Sequence, residues 1–220
     1  MALKVYAFPY STCSKRVATV LYEKKIPHEL ILVDLSKGEH KAPSYLEKQP
    51  FGQVPYIDDD GLILYESRAI CRYLEEKYGQ GQGQRLIPTD PKKKALFEQA
   101  ASVEMANFDP YAGRAAYEAV IKKRLGQETD QAAHDQAIAT LNVKLDVYDK
   151  ILEKQKFLAG DEMTLADLSH LPYGSVLASG GNHIMTDPKR PNVARWWTTL
   201  TSLPSWQTVQ VEVPTGVVNF

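Results

Sequence analysis

The chain has 220 residues, enough for one or two domains, and its apolar content of 44% supports a sizeable core. A net charge of −1 excludes bulk electrostatic attraction to nucleic acid or to an anionic membrane surface. Two cysteines, Cys13 and Cys71, are too few for a disulfide framework, and no apolar run approaches the roughly 18–20 residues that cross a bilayer. With no basic-apolar signal at the N-terminus, a reducing cytoplasm is the expected compartment.

Leu3 to Phe8 is a short run of apolar, β-branched and aromatic residues, the pattern of a strand. Pro9 and Tyr10 break it. Ser11, Thr12 and Ser14 are all capable helix N-caps, and Val17, Val20 and Leu21 then recur at helical spacing. His28 to Asp34 is rich in Leu, Ile and Val and reads as a second strand. A helix between two strands favours a parallel pair with a right-handed crossover. Lys37 to Leu46 is polar and weakly helical.

A hairpin follows. Gln53, Val54 and Pro55 open one strand, Asp58 to Gly61 makes a tight turn, and Leu62 to Tyr65 returns. Glu66 to Tyr78 is a helix with Ala69, Ile70, Tyr73 and Leu74 on one face. The strand end at Pro55 offers backbone groups to an extended peptide, and the helix start offers N–H groups and positive dipole to a carboxylate. Together they suggest a cradle for a small acidic peptide.

Gly79 to Gln84 alternates Gly and Gln. It follows a helix and lacks the Lys-Ser/Thr of a phosphate loop, so it reads as a flexible linker. Beyond it the period is helical throughout, over 95–118, 129–153, 165–177 and 193–200. Thr164-Leu-Ala-Asp167 has capping-box form, a folding feature with each loss costing about 0.5–2 kcal/mol. The last dozen residues alternate weakly and are either a packed extension or a mobile tail. The fold class is a mixed α/β domain over 1–80, a linker over 81–87, and an all-helical domain over 88–220. The five histidines show no metal-ligand spacing.

Four motifs in order carry a family resemblance: Pro9-Tyr10-Ser11, Gln49 to Pro55, Glu66 to Ile70, and Phe157 to Gly160 with Thr164 to Asp167. Together they resemble a cytosolic glutathione transferase over nearly the full length. Gly38 to Lys41, Ser11 and Lys15-Arg16-Val17 are most similar to the phi class, the plant and fungal type. The resemblance implies a thioredoxin-like first domain, a homodimer, a detoxification role, and glutathione as co-substrate rather than a permanent cofactor. It implies that Ser11 activates glutathione. His40 and Lys41 then face the glycyl carboxylate, and Val54 bonds the cysteinyl backbone with Gln53 beside it. Pro55 is implied to be cis, and Glu66 and Ser67 to hold the γ-glutamyl end. Tyr10 and Thr12 depart from the commoner small or apolar choices beside the serine, which leaves the second-substrate site open.

The chemistry implied is conjugation of the thiolate to small hydrophobic electrophiles. A free thiol with a pKa near 8.5 needs a shift of roughly two units, about 2.7 kcal/mol, to be mainly thiolate at neutral pH. One hydrogen bond to an ionised sulfur supplies roughly 1.5–3 kcal/mol, and a helix N-terminus about 0.3–2. Ser11 at the start of the first helix is placed for both, either as that donor or as a plain N-cap. Cys13, near the same helix start, offers a competing thiol-exchange or peroxidase chemistry. A non-catalytic ligand-binding module on the same fold is the third reading. An apolar pocket between the domains is expected from Tyr10, Thr12, Leu35, Phe108, Tyr111 and Tyr117, with Arg114 at its edge. Phe51 is either an anchor for a partner subunit or packed within its own domain.

Overall fold

The computed structural model describes residues 3–81 and 83–220. The chain divides into two compact units, one running to Leu86 and joined by Pro204–Phe220, the other spanning Ile87–Leu203. The expectation that 88–220 forms one helical domain is corrected here: residues 204–220 fold with the first unit.

In the first unit, β1 (Leu3–Ala7), α1 (Thr12–Glu23) and β2 (His28–Leu32) form the expected crossover, with β1 and β2 parallel. A 3-10 turn (Glu39–Lys41) and α2 (Pro43–Leu46) follow, then β3 (Tyr56–Asp59), β4 (Leu62–Tyr65) and α3 (Ser67–Tyr78). The hairpin turns on Asp60 and Gly61, both at positive φ (55° and 90°), which Gly61 adopts without a Cβ clash. The sheet order is β4-β3-β1-β2-β5, where β5 (Gly216–Val218) is antiparallel to β2. The tail is therefore a packed extension.

β3 lies inside the sheet between β4 and β1, so no lateral sheet edge is open there. What remains open is the segment before the strand, because the ladder begins at Tyr56 rather than at Gln53. α1 buries Val17, Val20 and Leu21, and α3, which packs on it, buries Ile70, Cys71 and Leu74.

Gln82 of the linker lies outside the described residues, and the segment after it is pinned. Buried Glu75 pairs with Lys24 at 3.2 Å and Arg85 at 2.9 Å, and accepts the Leu86 N–H at 3.0 Å. Lys24 Nζ also donates to the Gln84 carbonyl at 2.6 Å. A buried charge cluster of this kind resists loosening, since freeing one partner strands the others.

The second unit is α4 (Pro91–Asn107), α5 (Asp109–Ala116), a π-helical turn (Tyr117–Ile121), α6 (Lys122–Arg124), α7 (Gln131–Leu152), α8 (Leu165–Leu168), α9 (Leu171–Ser179) and α10 (Pro191–Thr201). The single helix expected over 95–118 breaks at Phe108. Pro110 lacks an N–H and its ring opposes the carbonyl four residues back. Pro172 divides the expected 165–177 helix in the same way. Trp196 and Trp197 are core. The last helix, α11 (Pro204–Val209), packs on α1 in the first unit and buries Trp206.

Candidate active site

Strand register brings the candidate residues to one end of the first sheet. Tyr6 pairs with Tyr56 and Tyr56 with Tyr65, so the Val54–Pro55 segment enters β3 at the sheet end where β1 and β4 finish. The start of α1 and the start of α3 are at this same end. Two helix N-termini, each with unpaired N–H groups and positive dipole, thus converge on the ground ahead of β3.

Ser11 is the N-cap of α1, with φ −69° and ψ 135°, and its side chain accepts from the Ser14 N–H at 3.4 Å. It is half-buried. Capping uses an oxygen lone pair and leaves the hydroxyl proton to donate elsewhere. The cap role and a donor role to sulfur are therefore compatible.

The Val54–Pro55 peptide is cis. Among the described residues, neither the N–H nor the carbonyl of Val54 is hydrogen-bonded within the chain. Gln53 is exposed, and its carbonyl accepts the Tyr45 hydroxyl at 2.7 Å. Tyr45 and Tyr56 meet edge-on at 5.1 Å, and Tyr56 stacks on Tyr6 at 4.4 Å. Burial pushes the Tyr56 phenol up to about 12. This tyrosine cluster props the segment that carries Val54, and its role is not legible from any motif.

His40 and Lys41 lie on the 3-10 turn beside that segment. Lys41 Nζ donates to the carbonyls of Gly52 at 2.8 Å and Phe51 at 3.3 Å. Gly52 sits at φ +58°, and a Cβ there would fall 2.7 Å from Lys41 Nζ and 2.9 Å from the His40 carbonyl oxygen. The glycine is required for this close approach. His40 Nδ1 is buried, with no hydrogen-bond partner among the described residues.

Glu66 precedes α3 at φ 69° and ψ 106°, an unfavourable conformation for a residue with a Cβ, and its side chain is exposed. Ser67 opens α3 and is buried. Its Oγ accepts from Arg16 Nη1 at 2.9 Å. Arg16 itself is buried on α1 and also lies 3.6 Å from Cys13 Sγ. In the sequence Arg16 stands out only as part of the Lys15-Arg16-Val17 resemblance. Its spacing from Ser67, 51 residues, gives no local signal.

Cys71 is core, and burial raises its thiol to about 12, so it is inert near neutral pH. Of the aromatic residues expected to wall a second-substrate site, Phe108 does not qualify. It is fully buried against His170, with ring centroids 4.4 Å apart, inside the helical unit. Tyr10 is about half exposed, at 49%. No helix among the described residues is long and apolar enough to cross a membrane.

Residues 5–82 match the family "Glutathione S-transferase, N-terminal domain", and residues 89–204 match "Glutathione S-transferase, C-terminal domain". The chain is 47% identical to Glutathione S-transferase PM239X14 of Arabidopsis thaliana over 90% of each chain. It superposes on glutathione transferase F2 from Populus trichocarpa with a TM-score of 0.90 and 42% identity, covering 94% of this chain and 97% of that one. It also superposes on glutathione S-transferase I from Mais in complex with an atrazine glutathione conjugate, with a TM-score of 0.85 and 32% identity over 95% and 96% of the two chains. With both halves matched and the thioredoxin-like sheet in place, the chain belongs to the cytosolic glutathione transferase family, in its phi class, and conjugates glutathione to electrophiles.

Proposed function

We propose that Ser11 activates the glutathione thiol by donating its hydroxyl proton as a hydrogen bond to the sulfur. The observation that carries this is the N-cap geometry. The Ser11 oxygen accepts from the Ser14 N–H, which leaves its proton for an outside acceptor at the positive end of α1. The hydrogen bond and the dipole together reach the roughly 2.7 kcal/mol that a two-unit shift of the thiol requires. Ser11 is a donor to sulfur, not a nucleophile, and the thiolate attacks a small apolar electrophile.

The peptide is held at three places. The free backbone groups of Val54, beside Gln53 and Pro55, suit an antiparallel pairing with the cysteinyl unit. His40 and Lys41 suit the glycyl carboxylate, since an ammonium has three donors and the two carbonyls of 51 and 52 leave one. Glu66 suits the γ-glutamyl ammonium, while Ser67 and the N–H groups opening α3 suit the adjacent carboxylate.

The test is turnover of an aryl halide by Ser11→Ala. The variant should remain on glutathione resin and lose about 10- to 100-fold in kcat, the worth of one charge-assisted bond. Wild-type turnover would sink the assignment. A second reaction, exchange with glutathione mixed disulfides, is favoured by Cys13 Sγ lying beside the Arg16 guanidinium in the first turn of α1. Cys13→Ser should abolish that exchange and spare conjugation.

The protein is further proposed to be a cytoplasmic homodimer. Phe51 is 64% exposed with its ring edge-on to Tyr65. A large aromatic left in water is the kind of residue that anchors an interface. Phe51→Ser should shift the sedimentation coefficient to that of a monomer, and an unshifted value would refute the anchor.

A further inference from the structure

The C-terminal residues return to the turn that carries Ser11. Lys15, one helical turn past Ser11, donates from Nζ to the carbonyls of Gln210 at 2.7 Å and Val211 at 3.0 Å. The nearby Glu212 carboxylate holds the Tyr10 phenol above its ordinary range. Val213 is fully buried, and its N–H donates to the Pro9 carbonyl at 3.2 Å. Gly216–Val218 then pairs with β2, and the Phe220 ring meets Tyr22 edge-on at 5.3 Å.

These grips fall on residues 9, 10 and 15, on either side of Ser11. Four carbonyls in and around the turn are taken. Ala7 accepts from the Val33 N–H, Phe8 from the Ser11 N–H, and Ser11 from the Lys15 N–H. Pro9 accepts from Val213. That last bond ties the turn to the far end of the chain, and the matched family regions end at residue 204, before the strap begins. A cation in the first turn of a helix sits at the unfavourable end of the dipole. The two strap carbonyls offset that by taking the Lys15 ammonium.

We propose that Gln210–Val213 is a positioning strap for the active site. It holds the Pro9–Ser11 turn and the first turn of α1 in the register from which the Ser11 hydroxyl reaches sulfur. Lys15, Glu212 and Val213 are its positioning residues. This rests on the Ser11 reading above and adds to it a segment outside the matched family regions.

The test compares four proteins: the chain ending at Val209, Lys15→Met, Glu212→Gln and Ser11→Ala. Each is measured for thermal midpoint, glutathione KM, kcat with an aryl halide, and the pH at which kcat/KM rises. The expected result for the truncation and for Lys15→Met is a kcat lower by about 10-fold and a rise displaced upward by about one pH unit, with glutathione KM changed by less than about twofold. Glu212→Gln should show the same direction at smaller size. Combined with Ser11→Ala, the truncation should cost nothing further in kcat, because both act through one hydroxyl.

A lowered thermal midpoint with unchanged kcat and pH profile would make the strap merely structural and overturn the proposal. So would full additivity with Ser11→Ala. Should the truncated chain fail to fold, Lys15→Met decides the matter by the same readouts. Normal turnover in Ser11→Ala itself would instead overturn the Ser11 reading, whatever the strap does.

Discussion

Arg16 Nη1 donates to Ser67 Oγ at 2.9 Å, and both residues are buried. This bond joins the N-terminal part of α1 to the first residue of α3. Those helix starts bear the residues assigned to the two ends of the substrate's thiol and γ-glutamyl groups. A guanidinium placed there adds fixed positive charge behind both, in the sense that favours a thiolate and a carboxylate.

Arg16→Met should therefore do two things. Stability should fall by about 1.5–3 kcal/mol, the value of a buried hydrogen bond to a charged group. Glutathione KM should rise more than kcat falls, because Ser67 loses the partner that orients it. Denaturant unfolding and steady-state kinetics read the two effects separately. A KM equal to wild type would separate Arg16 from substrate binding.

Ser11→Ala also removes an N-cap. Beyond its effect on turnover it should lower unfolding stability by about 0.5–2 kcal/mol. Ser11→Asp restores an acceptor for the Ser14 N–H but offers no proton to sulfur at neutral pH. It should therefore recover stability without recovering kcat, and recovery of both would show that capping alone supports turnover.

Gly52→Ala should weaken glutathione binding. The added Cβ must displace the Lys41 ammonium or the His40 backbone, and φ +58° is itself unfavourable for alanine. An increase in glutathione KM of about 10-fold corresponds to about 1.4 kcal/mol at that grip. The effect is measured by varying glutathione at saturating electrophile, where an unchanged KM would mean the turn yields freely.

Asp167→Ala should be severe in the helical unit. The buried carboxylate accepts from the N–H groups of Leu158 at 2.9 Å and Thr164 at 2.9 Å, the Thr164 hydroxyl at 2.9 Å and the Trp196 indole at 3.0 Å. Sequence alone suggests a capping box costing about 0.5–2 kcal/mol when broken. Four stranded donors raise that to more than about 3 kcal/mol. A shift in the denaturation midpoint no larger than an ordinary cap loss would contradict this.

Acid should weaken the fold from near neutral pH through its buried histidines. Burial depresses the pKa of His28 and of His170 below the ordinary 6.5. Both are then neutral when folded, while the unfolded chain binds protons as pH falls below 6.5. The unfolded state holds more protons there, so stability rises with pH and is lost as pH drops from about 6.5 toward the depressed folded values. Urea midpoints measured from pH 7 to pH 5 should fall, and should fall less in a His28→Gln, His170→Gln double variant. A flat wild-type profile would contradict the assignment.

What the sequence determined by itself is local. A hydroxyl before an amphipathic run marks the start of α1, Asp60-Gly61 marks the hairpin, and Thr164 with Asp167 marks a cap, because each depends on side chains within four residues of one another. The proposed substrate grips at 40–41, 53–55 and 66–67 rest on the family resemblance that their short motifs carry, since residue type and spacing alone assign them no ligand. Tertiary structure decided the rest. Tyr45 under Gln53, Arg16 under Ser67 and Glu75 under the linker are contacts between segments whose spacing carries no period. The tail is the clearest case. Gly216–Val218 is too short and too weakly patterned to be a strand alone, and it becomes one because β2 presents an edge that needs hydrogen-bond partners. That pairing sets the preceding residues across the turn that holds Ser11.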